Sequence, residues 1–272
     1  MRILAIEASG LTASAAIVDD DILKAEFTID NKLTHSETLL PMIRSMCEIS
    51  GIDIASADAV AVSAGPGSFT GLRIGAATAK GIALALNKPI VSVPTLMSLG
   101  WPLSNISDMI VCPIMDARRS QVYCAAYQDG STLIDEDACD IHEFIRRLGE
   151  LFPETEKEFL FTGDGVSVYS DVIAEELDGD ISFAGAEFNR QRAAFVASVG
   201  AEFYRKWLIK HGTDSETVRG LGADGVDFYS DNVMNSDDFA PEYLRKSQAE
   251  RENEQGLLED PGKHSLKKMK QH

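Results

Sequence analysis

The hydrophobic pattern of this chain passes through the same series of changes twice. Residues 2–7, Ala13–Val18 and Leu23–Ile29 read as three short strands, the last two parted by the turn Asp19-Asp20-Asp21. From His35 the period lengthens: Leu39, Leu40, Ile43, Met46 and Cys47 fall at helical spacing and Gly51 marks a stop, which predicts a helix over 36–50. A strand over 58–63, a helix to about Leu86, a strand over Lys88–Val93 and a short helix over Thr95–Leu99 follow. Near Asn105 the pattern restarts with strands Met109–Met115 and Gln121–Tyr127 around a turn at Asp116–Ser120, then a turn at Asp129-Gly130. Helix Ile141–Leu151, strand Glu158–Thr162, the turn Gly163-Asp164-Gly165, helix Ser167–Leu177, a short extended Ile181–Phe183 and a long helix Arg190–His211 come next. Antiparallel strands followed by strand–helix alternation predict an α/β protein of two lobes, each a mixed sheet flanked by helices. The lobes are expected over 1–104 and 105–250, with helix 190–211 a candidate to pack back on the first. Asp214–Asp238 reads as a loop, and 251–272, with almost nothing to bury, as a disordered tail.

Composition narrows the function. With 43 Asp+Glu against 25 Lys+Arg, the net charge of −18 opposes binding nucleic acid alone, since that affinity comes from Lys and Arg neutralising phosphates. Cys47, Cys112, Cys124 and Cys139 form neither a C-x-x-C pair nor a zinc-spaced cluster, so reduced, buried thiols are expected. The apolar run at the N-terminus ends at Glu7 after four residues, too short for a signal peptide, and Arg73 and Lys80 interrupt the most apolar stretch. A cytoplasmic protein with no membrane partner is the expectation.

The most informative segment joins a strand to a helix: Ser63-Ala-Gly-Pro-Gly-Ser-Phe-Thr-Gly-Leu-Arg-Ile-Gly75. Glycine-rich turns before helices favour anions, but this one lacks the Lys-Ser/Thr of a Walker A loop and the last glycine of a dinucleotide fingerprint. A tight turn with Ser68 or Thr70 capping the helix explains it equally well. Gly71, Gly75, Ala79 and Ala83 recur every fourth residue, and glycine inside a helix costs about 0.5–1 kcal/mol relative to alanine. Close packing is implied, either within the chain or against a second subunit.

The run Ala64-Gly-Pro-Gly-Ser-Phe-Thr-Gly-Leu-Arg-Ile-Gly75 resembles the hallmark of the bacterial TsaB family, also called YeaZ. Ile3-Leu-Ala-Ile-Glu-Ala-Ser9 resembles the opening strand of that family, His35-Ser-Glu-Thr-Leu-Leu-Pro41 its first helix, and Val93-Pro-Thr-Leu96 the end of a later strand. Asp116-Ala-Arg118 with Val122-Tyr123 resembles its second-lobe hairpin, and Pro241-Glu-Tyr-Leu-Arg245 its closing strand. The resemblance implies a two-lobed fold of the actin and sugar-kinase type. It also implies a role in making threonylcarbamoyladenosine, the modified base 3′ of the anticodon in tRNAs that read codons beginning with A. In the family the protein is an accessory, not the catalyst. It pairs with a paralogous TsaD subunit that transfers the threonylcarbamoyl group, a small ATPase (TsaE) joins them, and tRNA is reached only through the partner. Alone, such proteins form homodimers through much the same surface. No cofactor is implied as tightly bound, and ATP or ADP is placed at the partner interface.

The resemblance assigns the partner interface to His35, Leu39, Leu40 and Ile43 on the first helix and to Thr70, Gly71, Arg73, Ile74, Gly75, Thr78, Ala79 and Ile82 on the second. Arg73 is equally readable as a solvated residue. Glu7 and Ser9 stand where actin-like folds approach nucleotide phosphates, as do Asp116 and Arg118 in the second lobe. The alternatives are a degenerate remnant for the first pair and a surface ion pair for the second. The metal-binding H-x-x-x-H of the paralogue aligns with Thr95 and Leu99, which cannot replace histidine as ligands. His35 and Glu37 suggest acid–base chemistry less than a helix start with Thr34 or Ser36 as cap. Two rival functions remain: a glycoprotease-like peptidase, for which no nucleophile–base pair is evident, and an ATP-dependent small-molecule kinase.

Overall fold

The computed structural model describes residues 1–31, 34–153, 158–212 and 232–244. The first sheet starts with the meander β1 (Arg2–Glu7), β2 (Ala13–Asp19) and β3 (Ile22–Ile29). After α1 (His35–Ser50) come β4 (Ala59–Gly65), α2 (Phe69–Leu86), β5 (Ile90–Pro94) and α3 (Thr95–Ser104). The second sheet repeats the scheme with β6 (Ile110–Arg118), β7 (Gln121–Gln128) and β8 (Ser131–Asp140), then α4 (Ile141–Leu151), β9 (Glu158–Thr162), α5 (Val166–Glu176) and β10 (Asp180–Phe183). Helix α6 (Ala193–Lys210) and the two-residue β11 (Val233–Met234) complete the described elements.

Strand order makes the duplication explicit: β3-β2-β1-β4-β5 in one sheet and β8-β7-β6-β9-β10 in the other, each a meander followed by two parallel strands. This is the actin and sugar-kinase class. In each sheet the parallel strands are joined by a helix, because a parallel return needs a crossover of that length. Helices cover both faces of the first sheet: α1 and α2 bury Leu39, Met42, Ile43, Met46 and Ala79 on one, and α6 buries Val196, Val199 and Trp207 on the other. The α6 cluster includes Ile3, Ala5, Ala61 and Val93, so this late helix belongs to the core of the first sheet. Glu26 of β3 fixes its start by pairing with Arg192 and accepting from the Ala194 N–H at 3.1 Å.

Several expected boundaries change. Helix α3 runs on to Ser104 instead of ending at Leu99, and α6 starts at Ala193 rather than Arg190. The turn expected over Asp116–Ser120 contracts to Arg119-Ser120, because β6 continues to Arg118; Arg118, Arg119 and Ser120 all take left-handed φ values of 58–64°. Strand β8 lay in no expected element. It carries Asp135, Glu136 and Asp137, poor strand formers, and is held by its pairing with β7. Strand β11, antiparallel to β5, falls inside the segment expected to be a loop; 213–231 of that segment and the tail 251–272 lie outside the described residues. Pro241–Leu244 forms no strand, and Arg245 lies outside the described residues. Thr34 occupies the N-cap of α1, but its hydroxyl meets Ser36 and Glu37 side chains instead of a backbone N–H; Ser68 caps α2 by accepting from the Gly71 N–H at 3.3 Å.

Candidate docking face and interlobe cleft

Between the two sheets lies a cavity of about 590 Å³. Its walls are Ser9-Gly10-Leu11 after β1, the turn Gly67–Thr70, the end of β6 from Met115 to Arg118, Tyr123, Asp164, and the segment Glu242–Leu244. Three of these wall residues are acids, Asp116, Asp164 and Glu242, and Arg118 is the one cation among the described lining residues. Asp116 does not pair with Arg118 through its side chain. Its Oδ1 accepts from the Arg118 backbone N–H at 2.8 Å and from the Tyr169 hydroxyl at 3.0 Å. Asp164 accepts from the Asp116 N–H at 3.2 Å, and burial raises its carboxyl above the usual range despite Arg190 nearby. Behind the wall, Glu7 is fully buried; its Oε1 accepts from the Ser9 N–H, its Oε2 has no hydrogen-bond partner among the described residues, and burial raises its pKa. Ser9 is buried with it.

His35 Nε2 lies 3.1 Å from the Gly10 carbonyl, His142 pairs with Glu176 between α4 and α5, and His211 meets the Trp207 carbonyl. Among the described residues no group of three His, Cys, Asp or Glu could hold a metal ion, and Thr95 and Leu99 are buried. No described helix is long and apolar enough to cross a membrane.

Helix α2 presents two different faces. On the inner one, a Cβ on Gly71 would lie 2.1 Å from the Ala8 carbonyl oxygen, and one on Gly75 would lie 3.1 Å from the Ala8 Cβ. The glycine row therefore serves close packing against the end of β1, inside the chain. Gly71, Gly75 and Ala79 are buried there, as are Leu39 and Ile43 of α1, so these five of the expected partner contacts pack inside the chain. Of the remaining expected contacts, Leu40, Thr70 and Arg73 are exposed, and His35, Ile74, Thr78 and Ile82 are half-buried. The outer face carries its own four-residue row, Arg73, Ala77, Gly81 and Ala85, exposed throughout. A Cβ on Gly81 would meet nothing within 4 Å, so no packing among the described residues calls for glycine there.

Residues 29–252 match the family model described as "TsaD: tRNA N6-adenosine threonylcarbamoyltransferase". The tRNA threonylcarbamoyladenosine biosynthesis protein TsaB of Bacillus subtilis is 32% identical over 206 residues, which cover 74% of this chain and 88% of the relative. The chain belongs to the TsaB family. The Escherichia coli protein of the same name is 36% identical over 131 residues, 47% of this chain and 55% of that relative, so this second match spans about half the relative's length. A Pseudomonas aeruginosa crystal structure, of an uncharacterized protein with similarity to peptidase YEAZ, superposes with a TM-score of 0.65 at 22% identity over 90% of this chain and 99% of that one. YeaZ from the same organism gives 0.58 at 23% identity over 79% and 96%. These two likenesses concern the fold.

For a TsaB-family chain the hallmark loop thus has a concrete local cause. Gly65 takes φ of +129°, and a side chain there would strike the Glu242 carbonyl oxygen at 2.1 Å. The segment responsible includes Pro241–Leu244, which the sequence suggested as a closing strand and not as a cover over α2. Asp237–Leu244 crosses the start of α2, with Phe239 buried, Lys80 Nζ donating to the carbonyls of Asp237 (3.2 Å) and Phe239 (3.0 Å), and the Glu242 N–H donating to Ala64 O at 2.7 Å. Lys80, one of only two charged residues in a largely apolar helix, was the available signal. Gln191, buried against Gly10, was also missed, and nothing in its local sequence marks it.

Proposed function

We propose that this chain is the non-catalytic activating subunit in tRNA N6-threonylcarbamoyladenosine synthesis, required for threonylcarbamoyl transfer by a TsaD-type paralogue to the adenosine 3′ of the anticodon in tRNAs reading ANN codons. Family membership supports the pathway. The observation that carries the docking role is the exposed row Ala77, Gly81 and Ala85 on α2, with Leu84 of the same helix 69% exposed and Leu40 of α1 exposed as well. A helix of another chain approaches most closely where side chains are shortest, and a surface glycine with open space around it has that use and no internal one. The paralogue occupies this face in the complex, a second copy of the chain occupies it when the partner is absent, and a TsaE-type ATPase joins the pair. tRNA is held by the partner, consistent with the acidic charge of this chain.

No tightly held nucleotide is expected in the isolated chain: a triphosphate without a cation of its own would face Asp116, Asp164 and Glu242 with Arg118 as the lone described counter-charge. ATP or ADP at the subunit interface would draw its cations from the partner. The decisive experiment measures transfer of labelled threonylcarbamoyl from its adenylate to tRNA by the paralogue and ATPase, with and without this chain. Turnover that requires the chain, and fails with a folded Gly81→Leu variant, is the expected result. Transfer indifferent to the chain, or transfer by the chain alone, would overturn the accessory reading.

A further inference from the structure

At the head of the outer α2 row, Arg73 is held in place from two sides. Its Cζ lies 4.0 Å above the ring of Phe69, its Nε donates to the Tyr243 hydroxyl at 3.3 Å, and the rings of Phe69 and Tyr243 are 4.8 Å apart at 36°. Tyr243 arrives from the far end of the chain, on the segment anchored by Phe239, Lys80 and the Glu242–Ala64 hydrogen bond. Arg73 itself is exposed, and among the described residues its two terminal nitrogens make no hydrogen bond or ion pair. A surface arginine ordinarily samples many rotamers; here stacking and a hydrogen bond to Nε fix the plane while leaving the outer N–H fork free.

We infer that Tyr243 is a positioning residue that presents the Arg73 guanidinium to a carboxylate on the docked subunit, so that the segment Asp237–Leu244 is part of the docking surface together with α2. This rests on the docking role proposed above. A planar fork with its outer N–H groups free matches a carboxylate in two parallel hydrogen bonds. A protein carboxylate is favoured over an RNA phosphate because the row continuing from Arg73 is Ala77, Gly81 and Ala85, with no second cation to follow a backbone of phosphates. Lys80, the other basic residue of α2, is occupied by the carbonyls of Asp237 and Phe239. Phe, Tyr and Arg in one exposed cluster also have the composition of an interface anchor.

The test is a double-mutant cycle on affinity of the full chain for the TsaD-type subunit, by calorimetric titration at several salt concentrations. Arg73→Gln is expected to weaken pairing on the order of 30-fold and to flatten its salt dependence. Tyr243→Ala should cost about tenfold in wild type but little once Arg73 is Gln, and Tyr243→Phe, which keeps the ring, about threefold. Equal thermal midpoints separate these effects from misfolding. If Gly81→Leu abolishes pairing while Arg73→Gln and Tyr243→Ala leave it unchanged, or if the two substitutions are additive, this inference fails and the docking face survives. If the wild-type chain does not pair, or Gly81→Leu and Arg73→Gln are both silent, both fall. If Arg73→Gln weakens tRNA binding by the chain and not subunit pairing, the carboxylate assignment is wrong.

Discussion

Alanine substitution at three glycines of α2 separates the inner from the outer face by stability alone. Replacing glycine with alanine in a helix interior gains about 0.8–1.0 kcal/mol from backbone entropy, whatever the surroundings. At Gly81 the new methyl meets nothing within 4 Å, so the gain is retained and the thermal midpoint should rise by roughly 2–4 °C. At Gly75 the methyl comes to 3.1 Å from the Ala8 Cβ, and the crowding offsets most of the gain, leaving a net change within about 0.5 kcal/mol of zero. At Gly71 it would lie 2.1 Å from the Ala8 carbonyl oxygen, a backbone atom that cannot move without disturbing the end of β1; overpacking then costs about 1–3 kcal/mol, and the variant is less stable than wild type. Thermal and urea unfolding followed by far-ultraviolet circular dichroism rank the three. An order other than Gly81→Ala above Gly75→Ala above Gly71→Ala would show that the two faces of α2 have been confused, and a destabilising Gly81→Ala would remove the reason for calling that residue an interface glycine.

Three further outcomes follow from buried charge and from the segment over α2. The Glu136 carboxyl, raised to about 8 mainly by burial, accepts from the Met97 N–H at 2.8 Å and faces Glu242. Because the folded pKa exceeds the unfolded one, the penalty grows as pH rises from the ordinary carboxylate range and is complete above about 8. Midpoints measured from pH 5 to 8.5 should therefore fall less steeply for Glu136→Gln than for wild type, and parallel curves would contradict the burial. Glu26 is 8% exposed, bonded to Arg192 and to the Ala194 N–H, so Glu26→Ala strands a cation at the start of α6 and should lower stability by about 3 kcal/mol in urea titration, whereas a surface pair would give less than about 1. Lys80→Met removes the donor to two carbonyls of the segment; hydrogen exchange over 237–244 should accelerate while that of β4 stays unchanged, and unchanged protection at 237–244 would show that Lys80 is not its anchor.

What could be read from the sequence depended on whether a residue's neighbours were local. Helix α4 and strand β9 have the bounds their periodicity predicted, because Ile141, Phe144, Ile145 and Leu148 define one face by themselves. Strand β8 had no such signal: Asp135, Glu136 and Asp137 oppose strand formation, and only Ile134 and Cys139 are buried, so its order depends on pairing with β7. The resemblance pointed to the cleft residues Glu7, Ser9, Asp116 and Arg118, but not to Asp164, a turn residue whose role appears only when β9 is placed beside β6. Within α2 the sequence contains two small-residue rows, 71/75/79/83 and 77/81/85. Choosing which faces the sheet needs the position of Ala8, sixty-three residues away from Gly71 along the chain.

That double row states the physical problem α2 solves. Gly71 and Gly75 weaken the helix, and the close approach of the Ala8 backbone offsets the loss, because a larger residue at either site crowds the end of β1. Gly81 weakens it by a similar amount, and no contact among the described residues offsets that. The segment Asp237–Leu244 covers only the start of the helix, at Phe69 and Arg73, with Lys80 reaching across to it, and leaves Ala77, Gly81 and Ala85 open. A helix thinned on both sides is suited to lie between two surfaces, and the described chain supplies one of them. On the docking role proposed above, a second chain supplies the contact that Gly81 lacks and the stability of α2 rises on docking: slow hydrogen exchange at 77–85 should appear when the partner binds, and exchange there that is unchanged by the partner would place the interface elsewhere.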